Sequence, residues 1–316
     1  MAKYIVKRVL TSVLVTFLVS LIVFVVIHIT PGNPAASILG PEATQEQIIE
    51  LNRKLGLDKP VAEQYVDWIG KALHGDLGLS YYRNNTVSES VSEHFAPTFE
   101  LAIWAQLIAI IIAMPAGIFA AKNKGTAKDG TVIGFVLLGM SVPGFLLGIF
   151  MMLLFAVKLN WFPVAGYVPW TEGALKHIRY MVLPALTLGV MQSALITRIT
   201  RASMVEVLSS DYIKTAKAKG VNQKSILYKH ALKNAMNVIL TTIGNSFANL
   251  VAGAAVIETV YNIPGLGQLA MNSVTTRDYP VLQGVVIVIC VMLVVINLVI
   301  DLLYGVFDPR VRLTGK

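Results

Sequence analysis

Long apolar runs alternate with polar stretches along the chain, and six of these runs could each cross a membrane. They cover residues 9–29, 101–121, 131–157, 181–197, 235–257 and 281–300. A helix of about 20 apolar residues spans the hydrocarbon core of a bilayer. The run 181–197 is shorter and contains Pro184 and Gln192, but no charge occurs before Arg198, so its helix could extend beyond the membrane. The pattern therefore predicts an all-α polytopic membrane protein with six transmembrane helices.

Three prolines, Pro115, Pro143 and Pro184, lie inside or near the ends of these runs. In a bundle, neighbouring helices can satisfy the backbone groups that a proline leaves unpaired, so we expect kinked helices rather than broken ones. The first run follows a basic stretch, as a secretory signal does. It is longer than the apolar region of a signal and lacks a cleavage site of small residues, so we expect it to be retained as a helix.

The distribution of Lys and Arg orients the predicted helices. An even number of spans places both termini on one side of the membrane. If that side is the cytoplasm, the inside segments hold most of the 26 Lys and Arg residues, and the short loop 121–130 alone holds Lys122, Lys124 and Lys128. Cytoplasmic loops carry such an excess of cations. We therefore predict that the N- and C-termini are cytoplasmic.

The predicted spans divide the chain into three parts. Residues 1–30 form the cytoplasmic N-terminus and first helix, 31–97 a small, mostly helical external domain, and 98–316 the core with the remaining helices. In the external domain, Thr44 and Gln47 fit a capping box, and a helix over 61–73 would place Tyr65 and Trp68 on one face. This domain either caps the helix ends or forms a docking surface for an external partner.

The composition is that of a membrane protein, and it argues against disulfide-rich, zinc-binding and nucleic-acid-binding proteins. Only 14% of the 316 residues are charged, whereas soluble domains carry about 25%. Cys290 is the only cysteine, so the chain can form neither an internal disulfide nor a cysteine-based zinc site. The net charge of +8 arises mainly from segments predicted to be cytoplasmic. It therefore reflects topology, and we expect no nucleic-acid partner.

The predicted cytoplasmic loop 204–233 has a more specific pattern. Ser210 and Asp211 offer an N-cap and Gly220 a residue that can end a helix, so we expect a short helix over 212–219. Asn222 can cap a second helix that continues through Lys233 into the next span. Small residues lie between the lysines of the first helix and would allow it to enter a groove closely. Topology alone explains a basic loop, but the spacing Thr-Ala-x-Ala-x-Gly favours a docking role.

At this loop the chain resembles the inner-membrane permeases of ABC importers, in particular the oligopeptide, dipeptide and nickel branch. Residues 211–220 match the branch motif Asp-Tyr-Val-x-Thr-Ala-x-Ala-x-Gly, although Lys214 and Thr215 replace the Glu and first Ala of the wider permease pattern. Val238 stands where the branch often has a proline. Further motifs follow the family in order: Pro31-Gly32-Asn33-Pro34, Leu55-Gly56-Leu57-Asp58-x-Pro60, Gly75-Asp76-Leu77-Gly78-x-Ser80, Pro97-Thr98-x-Glu100-Leu101, Glu258-Thr259-Val260, Ile263-Pro264-Gly265-Leu266-Gly267, Arg277-Asp278-Tyr279-Pro280 and Asp308-Pro309-Arg310.

The resemblance implies a complex in the bacterial inner membrane. In the family, the permease pairs with a second, similar permease, which favours a heterodimer here. Two cytoplasmic ATPase subunits drive transport, and an extracellular solute-binding protein delivers the solute. The ATPases hold ATP and magnesium, so we expect this chain to bind no cofactor or metal and to carry no catalytic residue; it also has no Gly-x-x-x-x-Gly-Lys-Ser/Thr phosphate loop. The resemblance places the ATPase-coupling contact at Asp211, Tyr212, Lys214, Thr215, Ala216, Lys217, Ala218, Lys219 and Gly220.

Polar residues within the predicted spans are candidates for the translocation path, because such groups are costly in lipid. On the fifth span, Asn245, Asn249 and Gly253 form one row at helical spacing. The two amides could bind a peptide backbone, or they could hold a neighbouring helix. Gln106 and Gln192 are weaker candidates of the same kind.

The expected cargo is a dipeptide or oligopeptide. Glutathione, nickel and metal chelates are the alternatives within the same family. A secondary ion-coupled carrier is the rival from another class, but such carriers commonly keep charged residues at mid-membrane, and the central part of every predicted span lacks Asp, Glu, Lys and Arg. A membrane-embedded enzyme would need convergent catalytic groups, whereas the five histidines are far apart along the sequence.

Overall fold

The computed structural model describes the backbone of residues 2–29, 32–83 and 85–307, and side chains within 10–300 of that set. The predicted motif residues Pro31, Asp308, Pro309 and Arg310 lie outside it. Within the described residues the fold is helical, with one isolated β-bridge between Leu79 and Thr86. The α-helices are α1 Ala2–Ile29, α2 Pro34–Leu39, α3 Gln45–Lys54, α4 Val61–Leu73, α5 Val87–Lys122, α6 Ala127–Ser141, α7 Gly144–Met151, α8 Ala174–Ser209, α9 Asp211–Ala218, α10 Gln223–Ser225, α11 Lys233–Gly253, α12 Ala255–Tyr261, α13 Leu266–Thr276 and α14 Tyr279–Phe307.

The described residues also form two segments of π-helix and one of 3-10 helix. Met152–Lys158 continues α7 as π-helix, and Ile226–Leu232 joins α10 to α11 in the same way. Trp170–Glu172 is 3-10 helix. Because π-helical turns are rare and often occur at functional sites, the segment before α11 marks a place where the helix could bend.

Among the residues that the structure describes, five helices are long and apolar enough to span a membrane, and α6 with α7 and its π-helical continuation makes a sixth span if the bent pair is counted as one. The expectation of a kink at Pro143 is wrong, because the chain breaks there and bends by 101°. Val142, the residue before the proline, is extended at ψ 124°, as the steric restriction on a residue before proline favours. The helices α5 and α8 continue through Pro115 and Pro184, as expected.

Other boundaries also differ from the pattern. The predicted span 235–257 ends at Gly253, and a separate short helix follows it. Helix α5 begins at Val87, well before the apolar run and across the predicted domain boundary at 97. Apolar runs locate the lipid-facing part of a helix and do not show how far its polar ends continue.

The chain forms two compact units by the grouping of its internal contacts. Unit 1 comprises residues 1–98 with 264–294, and unit 2 comprises residues 99–263 with 295–316. The long helices α5 and α14 each contribute to both.

In unit 1, α4 packs on α1 through the face that the sequence predicted. The helix occupies Val61–Leu73, as expected. The rings of Tyr65 and Trp68 lie 5.1 and 6.1 Å from that of Phe24. The Tyr65 hydroxyl is 2.9 Å from the hydroxyl of Ser20. The capping box of Thr44 and Gln47 at the start of α3 is also confirmed.

Two of the family motifs, almost 200 residues apart, meet at Asp278 in unit 1. The Ser80 hydroxyl donates to the buried Asp278 carboxylate at 2.5 Å, and the Tyr81 N–H donates to its other oxygen at 3.1 Å. Burial, with the nearby Asp278 charge, raises the pKa of Tyr81 to about 12. A third motif reaches the same place, because a Cβ added at Gly32 would overlap the guanidinium of Arg277. These motifs therefore hold unit 1 together.

We predict that Asp278→Ala lowers the free energy of unfolding by about 2–3 kcal/mol, because it leaves the buried hydroxyl and N–H without their charged acceptor. Thermal unfolding of the purified chain in detergent measures the loss. Asp76→Ala is the matched control, since Asp76 is exposed and accepts only the Gly78 N–H. Equal melting temperatures for the two variants would contradict this assignment.

In unit 2, α8 is the most buried of the spanning helices and packs against α6, α7 and α11. Glycines let helices approach it closely. A Cβ added at Gly189 would lie 2.8 Å from the Cβ of Ile108, and one added at Gly117 would lie 2.7 Å from the Cβ of Thr200. Small residues at helix contacts are the usual means of close packing in membrane proteins. Helix α8, which leads into the loop 204–233, is therefore closely packed against its neighbours.

Candidate functional site

The helix predicted for the coupling loop is α9, Asp211–Ala218. Tyr212 is 46% exposed, whereas Ile213 is fully buried. Lys214 and Asp211 form an exposed ion pair of 2.7 Å along the helix. The remaining predicted contact residues are exposed, apart from the half-buried Ala216: Thr215, Lys217, Ala218, Lys219 and Gly220. The helix therefore presents the predicted set outward and is held by one apolar residue.

Gly220 ends this helix in the left-handed conformation, at φ 76°. Its N–H donates to the Lys217 carbonyl at 3.0 Å, and the Val221 N–H donates to the Ala216 carbonyl at 3.1 Å. These two bonds define a Schellman motif. The prediction that glycine ends the helix is confirmed. Ser210 occupies the N-cap position, but its hydroxyl donates to the Val207 carbonyl instead of capping the helix.

The chain after Gly220 leads directly into a membrane helix. The Asn222 side chain accepts the Lys224 N–H, which confirms its predicted role as a cap. Helix α10, the π-helical segment and α11 then follow without a break. A buried apolar cluster holds the base of this assembly against α5 and α8, and consists of Ile118, Ala121, Met204, Leu227, Ala231, Ala235 and Ile239.

A bidentate ion pair connects α6 to α8 beside this cluster. The Arg201 guanidinium donates to both oxygens of Asp129, at 2.6 Å each. The Gly125 N–H donates to the same carboxylate at 2.9 Å. The Asp129 side chain is 6% exposed and that of Arg201 is 26% exposed. The pair fixes the first turn of α6 to α8, the helix that precedes the loop.

Asn245, Asn249 and Gly253 lie on one exposed face of α11. Buried residues occupy the neighbouring face, where Ser246 and Leu250 are 0% and 3% exposed. Two amides one helical turn apart would be costly against lipid. This face therefore requires polar surroundings, which an aqueous cavity or a second protein surface can supply.

Gln106 and Gln192 bond to the neighbouring face of the same helix and are joined through Ser246. The Ser246 hydroxyl donates to the Gln106 amide oxygen at 2.9 Å, and the Gln192 amide donates to the Ser246 carbonyl at 3.0 Å. These bonds link α5, α8 and α11. Among the described residues, the Gln106 amide nitrogen is buried without a partner. The five candidate path residues thus form two groups on neighbouring faces of α11.

A second polar cluster lies at the other end of α5 and α8. The Tyr167 hydroxyl donates to the Glu100 carboxylate at 2.9 Å, and burial together with that bond raises the pKa of Tyr167. The fully buried His177 donates through Nδ1 to the Val168 carbonyl and stacks on Trp170 at 4.0 Å between ring centres. Its Nε2 is 3.7 Å from Glu100. This cluster fixes the loop that follows the π-helical end of α7.

Unit 1 carries an open groove of about 740 Å³ with Arg53, Trp68, Lys71 and Tyr81 among its lining residues. Two apolar side chains of α4 that do not line the groove, Val66 and Leu73, are 65% and 81% exposed. Within the described residues, no group of three or more His, Cys, Asp and Glu side chains is arranged to hold a metal ion.

Sequence reasoning missed Ser246, the pair of Asp129 and Arg201, and the contacts of Glu100. An acid at the first turn of an apolar span, with an arginine at the end of another, was the available signal for the ion pair. Nothing in the pattern signalled Ser246, because a serine on a small-residue face is common in membrane helices.

Comparison with protein families assigns nearly the whole chain. Residues 113–313 match the family described as binding-protein-dependent transport system inner membrane component. Residues 1–102 match the corresponding N-terminal family of the same transport-system membrane components.

Individual relatives and one solved structure agree with these matches. The chain is 41% identical to a glutathione transport system permease protein of Escherichia coli K12, over 99% of each chain. It is 38% identical to a probable peptide ABC transporter permease protein of Sinorhizobium fredii, over 99% of this chain and all of the relative. The inward-facing MetNI methionine ABC transporter shares the fold with a TM-score of 0.60 at 17% identity, over 69% of this chain and 96% of that chain.

Proposed function

Because the chain belongs to the family of binding-protein-dependent transport system inner membrane components, we propose that it carries peptides across the membrane as one permease of an ATP-driven importer. The main structural support is α9, a short exposed helix whose connection to α11 is packed by the buried apolar cluster against α5 and α8. Relatives over the full length named for peptide and for glutathione transport support a peptide as the cargo. Glutathione is itself a tripeptide, so both names describe the same chemical class.

In this proposal the N- and C-termini and α9 face the cytoplasm, where one of the two ATPase subunits binds α9. Small or short side chains at Thr215 and Ala218 leave room for close approach, and Tyr212 offers a large exposed ring. Interfaces commonly centre on such aromatic residues. The lysines around them would contact the rim of the ATPase cleft.

Movement of α9 would be transmitted to α11 because the chain connects the two helices directly. The chain from Gly220 to Gly253 is one turn followed by unbroken helix, and the π-helical segment lies where a bend would be needed. A displacement of α9 would therefore tilt α11 and the face that carries Asn245 and Asn249. Gln106 and Gln192 would hold α11 to α5 and α8 during this movement.

The exposed face of α11 would line the path together with a second, similar permease. A partner supplies the polar surroundings that the two amides need. Amides can both donate to and accept from a peptide backbone, which suits a cargo whose side chains vary. Selection among peptides would then be left to an external binding protein, which would dock on unit 1, where α4 exposes the apolar side chains of Val66 and Leu73.

We predict that Asn249→Leu reduces peptide uptake roughly tenfold, because it removes one backbone-binding group of about 1.5 kcal/mol from the path. The assay is ATP-driven uptake of a labelled dipeptide and of glutathione by the complex purified from native membranes and reconstituted in vesicles. Basal ATP hydrolysis should persist. Asn272→Leu, which removes an exposed amide from α13, is the control. Undiminished uptake by a correctly inserted Asn249→Leu complex would exclude this residue from the path.

A further inference from the structure

A groove of about 530 Å³ runs along the last two turns of α5 and the π-helical segment before α11. Its walls are mainly apolar and include Pro115, Ile118, Phe119, Leu227 and Tyr228. Phe119 and Tyr228 are 46% and 57% exposed, so two large rings border an open channel. The groove lies within unit 2 and does not involve the exposed face of α9.

The end of the groove is basic. Lys122 and Lys224 line it, and an adjoining cleft of about 210 Å³ shares Lys122 and adds Lys124 and Lys217. No carboxylate lines either space, and none of the four lysines has an ion-pair partner within the described part of the chain. Asp129, the acid that follows Lys124 in sequence, is occupied by Arg201 and the Gly125 N–H.

The depth of the apolar wall limits what can fill the groove. Pro115 precedes Lys122 by two helical turns, or about 10 Å along the axis. The wall therefore lies in the apolar part of a spanning helix, while the lysines lie where that helix ends. A soluble protein could contact the lysines at the membrane surface, but it would not fill the apolar part of the groove within the membrane. The complementary molecule has a negative head at the membrane surface and an apolar chain beside it.

We propose that this groove binds an anionic phospholipid, with the phosphate among Lys122, Lys124 and Lys224 and an acyl chain against Phe119 and Leu227. Basic pockets between membrane helices are suited to acidic lipid head groups. The long lysine side chains can place their stems along the apolar wall and their ammonium groups at the phosphate. The bound lipid would fill the space between the end of α5 and the base of the loop that carries α9.

Native mass spectrometry of the purified full chain tests the proposal. The probes are dioleoylphosphatidylglycerol and dioleoylphosphatidylcholine in equal amounts. The phosphatidylglycerol adduct should dominate, and K122Q/K124Q/K224Q should weaken it by about fivefold for each lysine removed. These lysines are exposed, so the substitutions leave the fold intact. The control K128Q/K229Q/K233Q removes the same charge from exposed lysines outside the groove and should retain the adduct.

Three results would overturn the proposal. They are equal retention of the two lipids, equal loss of the adduct in the two triple variants, and displacement of phosphatidylglycerol by millimolar glycerol 1-phosphate, which would mark a site for free anions. The measurement needs neither transport nor an ATPase, and the variant leaves α9 unchanged. A failure of the proposed transport function would therefore not affect its outcome, nor would failure of this site affect the transport proposal.

Discussion

Replacing Gly220 by valine is expected to reduce ATP-driven uptake about tenfold while the complex continues to hydrolyse ATP. Gly220 has φ 76°, a conformation that costs a residue with a Cβ roughly 1–2 kcal/mol and a β-branched residue more. The strain would disrupt the Schellman motif that sets the direction of α9. The ATPases could still bind and hydrolyse ATP, but their movement would no longer be delivered to α11. Uptake and hydrolysis measured on the same vesicles report the two activities separately.

Gly125→Val is the matched control for this prediction. Gly125 has φ 78°, and a Cβ added at either glycine meets nothing within 4 Å. Both lie in loops predicted to be cytoplasmic, and their similar φ angles mean that the two substitutions impose similar backbone strain. Gly125 also donates its N–H to Asp129, and valine keeps that N–H. We expect Gly125→Val to lower stability modestly and to keep uptake and hydrolysis coupled. If both variants lost uptake equally, the effect would come from strain in general and the role of α9 would be unsupported.

Replacing Arg201 by leucine is expected to destabilise the protein by about 3 kcal/mol, because it leaves Asp129 buried without its charged partner. Asp129→Leu should cost less, since the partly exposed Arg201 can extend toward water. The double substitution should recover part of the loss, because a buried pair replaced by apolar groups leaves no unpaired charge. Thermal unfolding of the four proteins in detergent completes the cycle. Additive losses would show that the two residues do not act as a pair.

The pattern along the chain predicted elements whose signals are local. Helix α4 and its contact face follow from helical spacing, and the end of α9 at Gly220 follows from the conformational freedom of glycine. Both depend on residues within one or two turns of each other, so the sequence contains all the information needed.

The break at Pro143 and the pairing of Asp129 with Arg201 could not be predicted in the same way. A proline can either kink a helix or end it, and the outcome depends on the packing of neighbouring helices. Helix α8, for example, continues through Pro184. The partner of Asp129 lies 72 residues away along the chain. Likewise, helical spacing placed Asn245 and Asn249 in one row but did not show that Gln106 bonds to the neighbouring face of α11 through Ser246.

If movement of α9 opens the path along α11, the exposure of residue 249 to the external solution should change with the state of the ATPases. Cys290 is the only cysteine, so Asn249→Cys in a Cys290→Ser background provides a single thiol on the exposed face. The reagent is a membrane-impermeant maleimide applied from outside to the reconstituted complex, with and without ATP and vanadate. We expect faster labelling when the ATPases are trapped closed, and no such change when Gly220→Val is added. Labelling that is the same in both nucleotide states would contradict it.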